Sequence, residues 1–392
     1  MAQEATILGA GVAGLTAALA LARRGFAVTV LEQADAIREV GAGLQISPNA
    51  AVVLQALGLG AALDAARGRA HALRLCDGLT GEKVLEMDLM RLRPTQGYHF
   101  LHRADLIDML AAAARAAGVQ IRLLHRIETV DLAGDRPRLV TAQGAEIATG
   151  LLIGADGLHS KVRAVLNGPA QPFFTHQVAW RAVLPEAPGT GSDAEPVAEV
   201  HMGPGRHLVS YPLRGGQLRN IVAVEERARW VEEGWTLRDD PMEMRLAFER
   251  FSPRVKGWLA RVEDVHLWGL FRHPVAAVWQ KTLPQGAVAL LGDAAHPTLP
   301  FLAQGAAMGI EDAWTLAETL ATAPQGLPAW QATRRARCSR IVAAANGNAR
   351  AYHLAGPLRG VAHLGLKLGS ALSPGFALSR YDWLYGHDVT QG

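Results

Sequence analysis

Cysteine is nearly absent: Cys76 and Cys338 are the only two in 392 residues, far apart and in no CxxC pair. That pattern supports neither a disulfide framework, a zinc site nor a dithiol redox centre, and it suits a reducing compartment. Runs of like charge are missing as well. The 39 Lys and Arg and 36 Asp and Glu, net +3 with a pI near 9.0, are spread along the chain, which argues against nucleic acid as a partner. Long hydrophobic runs are also lacking. The apolar run over residues 7–22 is interrupted by glycines at fixed spacing and falls short of the roughly 20 residues a span requires. The opening MAQEAT lacks the basic region of a signal peptide. The expectation is a soluble, cytoplasmic protein without a transmembrane segment. One stretch stands apart: residues 355–379 carry Arg359 and Lys367 as their only Lys or Arg. They are expected to form a closing helix or a dimer contact, with a lipid-facing surface as the alternative.

What the chain does contain is apolar substance, 49% of residues against 19% charged, enough for one large or two modest cores. ATILG reads as a buried strand, VAGLTAALALARRG as a helix ending at Gly25, and FAVTVLEQ as a second strand, a βαβ beginning. Ser47 and Pro48 supply an N-cap and first-turn proline for a helix that stops at Gly58. An alanine-rich helix over 104–117 precedes alternating strands that end at GADG. From residue 173 to 224 the pattern changes to strands and turns, and a long helix is expected over about 305–320. The predicted fold is α/β: a Rossmann-like nucleotide domain from 1–172 and 265–350, an inserted, mainly antiparallel sheet domain over 173–264, and a C-terminal helical segment over 351–392.

Gly9, Gly11 and Gly14 form G-x-G-x-x-G between a predicted strand and a helix. The first glycine allows the tight turn, the second lets a pyrophosphate approach the backbone, and the third lets helix pack on strand. Phosphates then meet the positive end of the helix. Glu32 closes the second strand, 18 residues beyond Gly14, where a carboxylate accepts ribose hydroxyls. A glutamate there favours an unphosphorylated ribose, so the ligand is NAD or FAD.

Two further constellations decide between them. In LLIGADGLHSKVR a strand runs into Gly154, Asp156 and Gly157, then a helix with Ser160 and Arg163. In VALLGDAAHPTLPFLAQGAAMGIEDA another strand ends in Gly292 and Asp293. An aspartate at a strand's carboxyl end is placed to accept hydrogen bonds from a polyol such as a ribityl chain. The loop over 297–305 then offers backbone amides and a helix N-terminus, at Gly305, to the adjoining ring.

GxGxxG, then GADG, then GDAAHP…P…QG, in this order, resembles the class A FAD-dependent aromatic hydroxylases, the family of para-hydroxybenzoate hydroxylase, along nearly the whole chain. GAGLQISPNA and HLVSYPLRGG make it most similar to the salicylate, 3-hydroxybenzoate and 6-hydroxynicotinate hydroxylases. The resemblance implies FAD as cofactor and NADH or NADPH with O2 as co-substrates, with oxygen transferred to an aromatic ring through a flavin C4a-hydroperoxide. It further implies that Glu32 holds the adenosine ribose, Arg103 the sugar and pyrophosphate region, and Asp293 the ribityl-pyrophosphate part. Gly41, Ala42 and Gly43 would pass close to the isoalloxazine, Asp156 would serve both FAD and the nicotinamide cofactor, and Pro300 would lie near the reacting flavin edge. His296 is read as either a loop brace or a functional group. Homodimers are common among such proteins, and a homodimer is one expectation here. No metal is expected.

Residues 178–213 hold Arg181, His207 and Tyr211 on what reads as exposed sheet. His207 and Tyr211, four apart on a strand, share a face. A phenol must lose its proton as oxygen attacks, and a neutral histidine accepts it, so His207 is the expected base and Tyr211 its hydrogen-bond relay. Arg181 is a candidate for a substrate carboxylate; Gln45, Phe301 and Gln304 are candidate pocket lining. Phe301 departs from some hydroxynicotinate relatives, which carry a polar residue near this position. With only one complete dinucleotide fingerprint, the nicotinamide nucleotide is expected to bind transiently in a surface groove. Three alternatives stay open: a related monooxygenase for a larger substrate such as a quinone precursor or polyketide, a flavin dehydrogenase or oxidase without NAD(P)H, and a fold-keeping binding module.

Overall fold

The computed structural model describes residues 3–37, 42–66, 68–186, 195–227, 237–373 and 375–391. Its first sheet has the spatial order Gln280–Leu283, Gly286–Leu290, Leu151–Gly154, Glu4–Leu8, Ala27–Leu31 and Gln120–Arg122. All neighbours are parallel except the first pair. Strands buried on both faces read as continuous apolar runs, and the central Glu4–Leu8 is buried from Ala5 onward. In register, Leu8 lies beside Gly154 and Leu31, and Gly154 beside Leu290. The three glycine motifs and Glu32 therefore emerge side by side from the carboxyl edge of one sheet, where open α/β sheets bind ligands.

The second sheet has eight strands in the order Arg238–Asp239, Val265–Arg272, Phe173–Pro185, Leu218–Glu226, Arg206–Leu213, Val197–Gly203, Ala72–Asp77 and Lys83–Asp88. It is antiparallel apart from the pairing of Val197–Gly203 with Ala72–Asp77. Three of its strands, Ala72–Asp77, Lys83–Asp88 and Val265–Arg272, come from chain outside 173–264. One face packs on the helices Pro241–Ala247 and Pro253–Ala260 through Trp180, Phe248, Phe251 and Trp258. Most of the glycine- and proline-rich loop over 185–191 lies outside the described residues.

Two long helices, Gly305–Thr322 and Leu327–Tyr352, are joined by a buried ionic network that the sequence pattern does not announce. Arg334, 2% exposed, donates to Asp312 Oδ1 at 2.8 Å and Glu311 Oε2 at 2.6 Å. Arg337 clasps Glu311 with two bonds of 2.7 Å and also reaches the Trp383 and Leu384 carbonyls, tying down the C-terminus. His296 is braced at 2.5 Å by Asp312. Burial alone would raise the Asp312 carboxyl, but the charges of His296 and Arg334 override it and hold the pKa at about 2. Among the described residues His296, Asp312 and Cys338 lie close enough to hold a metal, but Arg334 already donates to both Asp312 and the Cys338 sulfur. Removing one member of a buried ion pair leaves its partner uncompensated. Arg334→Ala is therefore expected to destabilise the protein by about 3–5 kcal/mol, read from urea denaturation.

Ser47 does precede the helix Pro48–Ala56, but its hydroxyl makes no cap; it donates to Asn49 Oδ1 at 2.7 Å instead. The helix Gly356–Leu372 turns one side to the eight-stranded sheet, with Arg359 on Asp77 and Lys367 on Glu82. Its other side exposes Leu358, Val361, Leu364, Leu368 and Leu372, so the segment closes the fold on one face only. Among the described residues, no helix is long and apolar enough to cross a membrane.

Candidate functional site

The nucleotide cradle shows why each glycine is needed. Gly9 has φ +100°, and a Cβ there would stand 2.4 Å from the Ala155 carbonyl oxygen. A Cβ on Gly14 would stand 2.0 Å from the Gly9 carbonyl oxygen, whereas one on Gly11 would meet nothing within 4 Å. Two glycines thus pack the turn and one leaves it open. Glu32 is set by the turn it serves: its Oε2 accepts from Ala10 N at 2.8 Å and its Oε1 from Ala34 N at 2.9 Å.

In the second motif Asp156 accepts from the Ser160 hydroxyl at 2.5 Å and from Lys161 N at 2.8 Å, while Ser160 caps the helix Lys161–Asn167 by accepting from Arg163 N. Burial raises its pKa against those bonds. Arg163, in that helix, donates to the Ala294, Ala295 and Pro274 carbonyls, clamping the third motif to the second. Gly292 has φ +59°, and a Cβ on it would press within 2.8 Å of Ala13. Asp293, next in the turn, is exposed. The loop then makes a turn over Pro300–Leu302 and passes through Ala303 at φ +53° into the helix that starts at Gly305.

Arg103 faces this turn. Burial lowers its pKa while the nearby Asp293 carboxylate opposes the shift. Its backbone N–H donates to the Ala42 carbonyl at 2.9 Å. Gly41 lies outside the described residues. Gly43 is bare by necessity, since a Cβ would stand 2.7 Å from both Asn220 Cγ and the Tyr211 hydroxyl. Arg181 does not lie on exposed sheet. It is partly buried, covers the Trp268 ring at 4.0 Å and donates to the Gly43 carbonyl at 3.2 Å. Burial pushes its pKa down to about 10; Tyr211 opposes the shift and the neighbouring Arg103 adds to it. Among the described residues Arg181 Nε is a buried donor without a hydrogen-bond partner beside Gly43. Two mutually repelling guanidinium groups and an orphaned Arg181 donor fit an anionic, acceptor-rich ligand such as FAD.

On the far side of the Pro300 turn lies a cavity of about 570 Å³. Its walls come from the second sheet (Leu75, Met87, Val209), the turn (Pro300, Phe301) and the C-terminal helices (Leu366). His207 and Gln45 line it too; Gln45 accepts from the Tyr98 hydroxyl at 2.7 Å. His207 is 1% exposed, not a surface histidine, and Phe301 meets its ring edge-on at 5.2 Å. Burial drives its pKa well down, and His353 adds to the shift. The expected His207–Tyr211 relay is not what the strand presents. Tyr211 does not line the cavity; it is buried against Phe100, ring centroids 5.1 Å apart, and adjoins Gly43. The neighbour of His207 is instead His353, whose Nε2 lies 2.7 Å from His207 Nδ1. Gln304 is also off the cavity wall, its amide held by Ser47, Asn49 and the Leu302 carbonyl.

Sequence reasoning missed His353 and Arg380, the guanidinium on the cavity wall, and placed Arg163 in the second motif without its clamp on the third. No local motif surrounds His353; it is brought to His207 across 146 residues by the end of a long helix.

The FAD binding domain family matches residues 2–345. A 3-hydroxybenzoate 6-hydroxylase from Polaromonas naphthalenivorans is 34% identical over 395 residues, covering 98% of this chain and 96% of the relative. The 3-amino-4-hydroxybenzoate 2-monooxygenase PtnB3 from Streptomyces platensis is 31% identical, covering 98% and 96%. Among solved structures a salicylate hydroxylase substrate complex superposes with a TM-score of 0.81 at 23% identity, over 100% of this chain and 97% of that one. The cradle, the buried donors around Gly43 and these full-length likenesses together place the chain in the FAD-binding family of class A flavin-dependent aromatic hydroxylases.

Proposed function

We propose that the protein hydroxylates a phenolic acid, or a hydroxylated heteroaromatic of similar size, using NAD(P)H and O2. The observation that carries this reading is a buried histidine, His207, on the wall of a largely apolar cavity directly beside the Pro300 turn that follows the FAD motif. Bound in the glycine cradle, FAD would supply the oxidising chemistry, with Glu32 at the adenosine ribose, Arg103 and Asp293 along the ribityl-pyrophosphate region and Gly43 beside the ring. His207 takes the phenolic proton as the ring becomes a nucleophile. Arg380 offers a counter-charge for a ring carboxylate. The apolar walls exclude water from the reacting ring.

In this reading 1–172 and 265–350, apart from the strands Ala72–Asp77, Lys83–Asp88 and Val265–Arg272, form the FAD-binding part; 173–264 with those strands forms the substrate roof, and 351–392 closes the cavity. The nicotinamide nucleotide docks transiently, since no second fingerprint exists. A bulkier substrate is the second reading, favoured by the cavity's apolar extension along Ala362, Leu366 and Phe376.

The test is oxygen-dependent NADH and NADPH oxidation by the FAD-loaded protein across hydroxybenzoates, hydroxynicotinates and larger phenols, with product analysis. A phenolic acid should stimulate oxidation at least ~10-fold and appear hydroxylated. Stimulation by bulky phenols alone would select the second reading; flavin reduction by a substrate without NAD(P)H would overturn both.

A further inference from the structure

His207 is the inner end of a chain of three titratable groups. His207 Nδ1 lies 2.7 Å from His353 Nε2, and His353 Nδ1 lies 2.7 Å from Glu226 Oε1. The chain runs outward. The His207 and His353 side chains are buried, while that of Glu226 is 54% exposed. It also crosses three separate elements: the strand Arg206–Leu213, the residue after the helix Leu327–Tyr352, and the end of the strand Leu218–Glu226.

Hydrogen-bond bookkeeping along this chain leaves one arrangement. An ionised carboxylate only accepts, so His353 Nδ1 carries the proton that it donates to Glu226. In a neutral imidazole the other nitrogen is then an acceptor, so His353 Nε2 accepts from His207 Nδ1–H. His207 Nε2 is left with a free lone pair, on a ring that lines the cavity. The tautomer a base requires is thus imposed from the surface inward.

We propose that His353 and Glu226 are positioning and relay residues for hydroxylation, holding His207 as a base and conducting the substrate's phenolic proton to solvent. The inference rests on the aromatic-hydroxylase reading above. In the transfer, the phenolic O–H bond breaks and an N–H bond forms at His207 Nε2. The proton on His207 Nδ1 passes to His353 Nε2, and the one on His353 Nδ1 passes to Glu226 Oε1 and on to water. The phenolate keeps the electron pair, and one proton leaves for each that enters. Burial favours neutral forms of both imidazoles, which eases a hop because neither ring holds a charge at rest. Among the described residues, the other charged or titratable groups facing the chain are Arg206, which disfavours protonation of His353 and is itself paired with Glu225 at 3.3 Å, and Tyr352, whose ring lies 5.3 Å from that of His207.

Two variants test it, Glu226→Gln, at an exposed position, and His353→Ala. FAD-loaded protein in its resting oxidised form is mixed with 3-hydroxybenzoate in weakly buffered indicator dye, and proton release is followed by stopped flow alongside the kcat–pH profile. The relay predicts flavin content and 3-hydroxybenzoate affinity within about twofold of wild type for Glu226→Gln, proton release slowed at least ~10-fold, and an altered pH profile. His353→Ala should slow release by ~100-fold, the lower end of a general-base contribution, with recovery on adding imidazole. Wild-type release rates and pH profiles in both variants overturn the relay, as does a uniform rate loss that imidazole leaves unchanged. If wild-type protein neither binds nor hydroxylates any phenolic acid, the functional reading has failed, a result visible in the wild-type measurement alone, and the relay falls with it.

Discussion

Gly14→Ala is expected to yield protein that retains no FAD. The added methyl would stand 2.0 Å from the Gly9 carbonyl oxygen and 3.3 Å from the Ala155 Cβ. The first contact is with backbone, which cannot rotate aside as a side chain would. Relief requires the helix Val12–Ala22 to move off the strand Glu4–Leu8, and that helix is buried along most of its length, from Leu15 to Leu21 without interruption. Overpacking of this kind costs about 1–3 kcal/mol before any effect on the ligand. The shift also drags the turn that presents the cradle, so flavin absorbance per protein should fall at least ~10-fold. Gly11→Ala supplies the control. Its methyl meets nothing within 4 Å, so the variant should fold with an unchanged apoprotein melting temperature and still bind FAD more weakly, because the methyl occupies the approach of the phosphates. Equal FAD retention in Gly14→Ala and wild type would mean that the open side of this turn is not the cofactor site.

The difference between those two glycines is legible in the amino-acid sequence itself, because the roles of the three positions follow from the strand–turn–helix pattern around them. The same holds for the wider frame. Continuous apolar strands and glycines at strand ends announce a parallel sheet with its ligand at the carboxyl edge, and residues 9, 154 and 292 do emerge together there. Period-two alternation also puts His207 and Tyr211 along one strand of the second sheet, as the structure has them. What it cannot supply is depth. The strand Arg206–Leu213 reads as half polar, yet Phe301 and Tyr352 cover His207 while Phe100 and Gly43 cover Tyr211, so both are buried. Parity likewise cannot tell that His207 opens on the cavity while Tyr211, two pleats along, presses on Gly43 and Phe100. Long-range partners are illegible for the same reason. The Arg163 guanidinium reaches carbonyls 131 and 132 residues away, and Glu226 meets His353 across 127 residues; neither spacing carries a local signature. Gln304 sits inside a recognised motif and still escapes, since its amide is turned inward by Ser47 and Asn49.

His207→Ala is expected to lower the rate of hydroxylation by 10²–10⁴-fold, the range spanned by general-base catalysis, while leaving FAD bound. The two effects separate because none of the cradle contacts involves His207, whereas the cavity wall does. NAD(P)H oxidation should continue in the variant with little hydroxylated product. Tyr211→Phe should cost far less, under about 10-fold, because its hydroxyl adjoins Gly43 and Asn220 and the ring packing on Phe100 survives the change. The pH profile supplies the sign. Burial and the adjacent His353 hold the His207 pKa well below the usual imidazole value near 6.5. The basic, working form therefore persists as pH falls past that value, and the acid limb of kcat for wild-type protein should lie below it. In His207→Ala that limb should vanish, leaving a rate that rises with pH only as the phenol ionises on its own. A Tyr211→Phe loss matching that of His207→Ala, with the acid limb displaced, would restore Tyr211 to the relay and remove His353 from it.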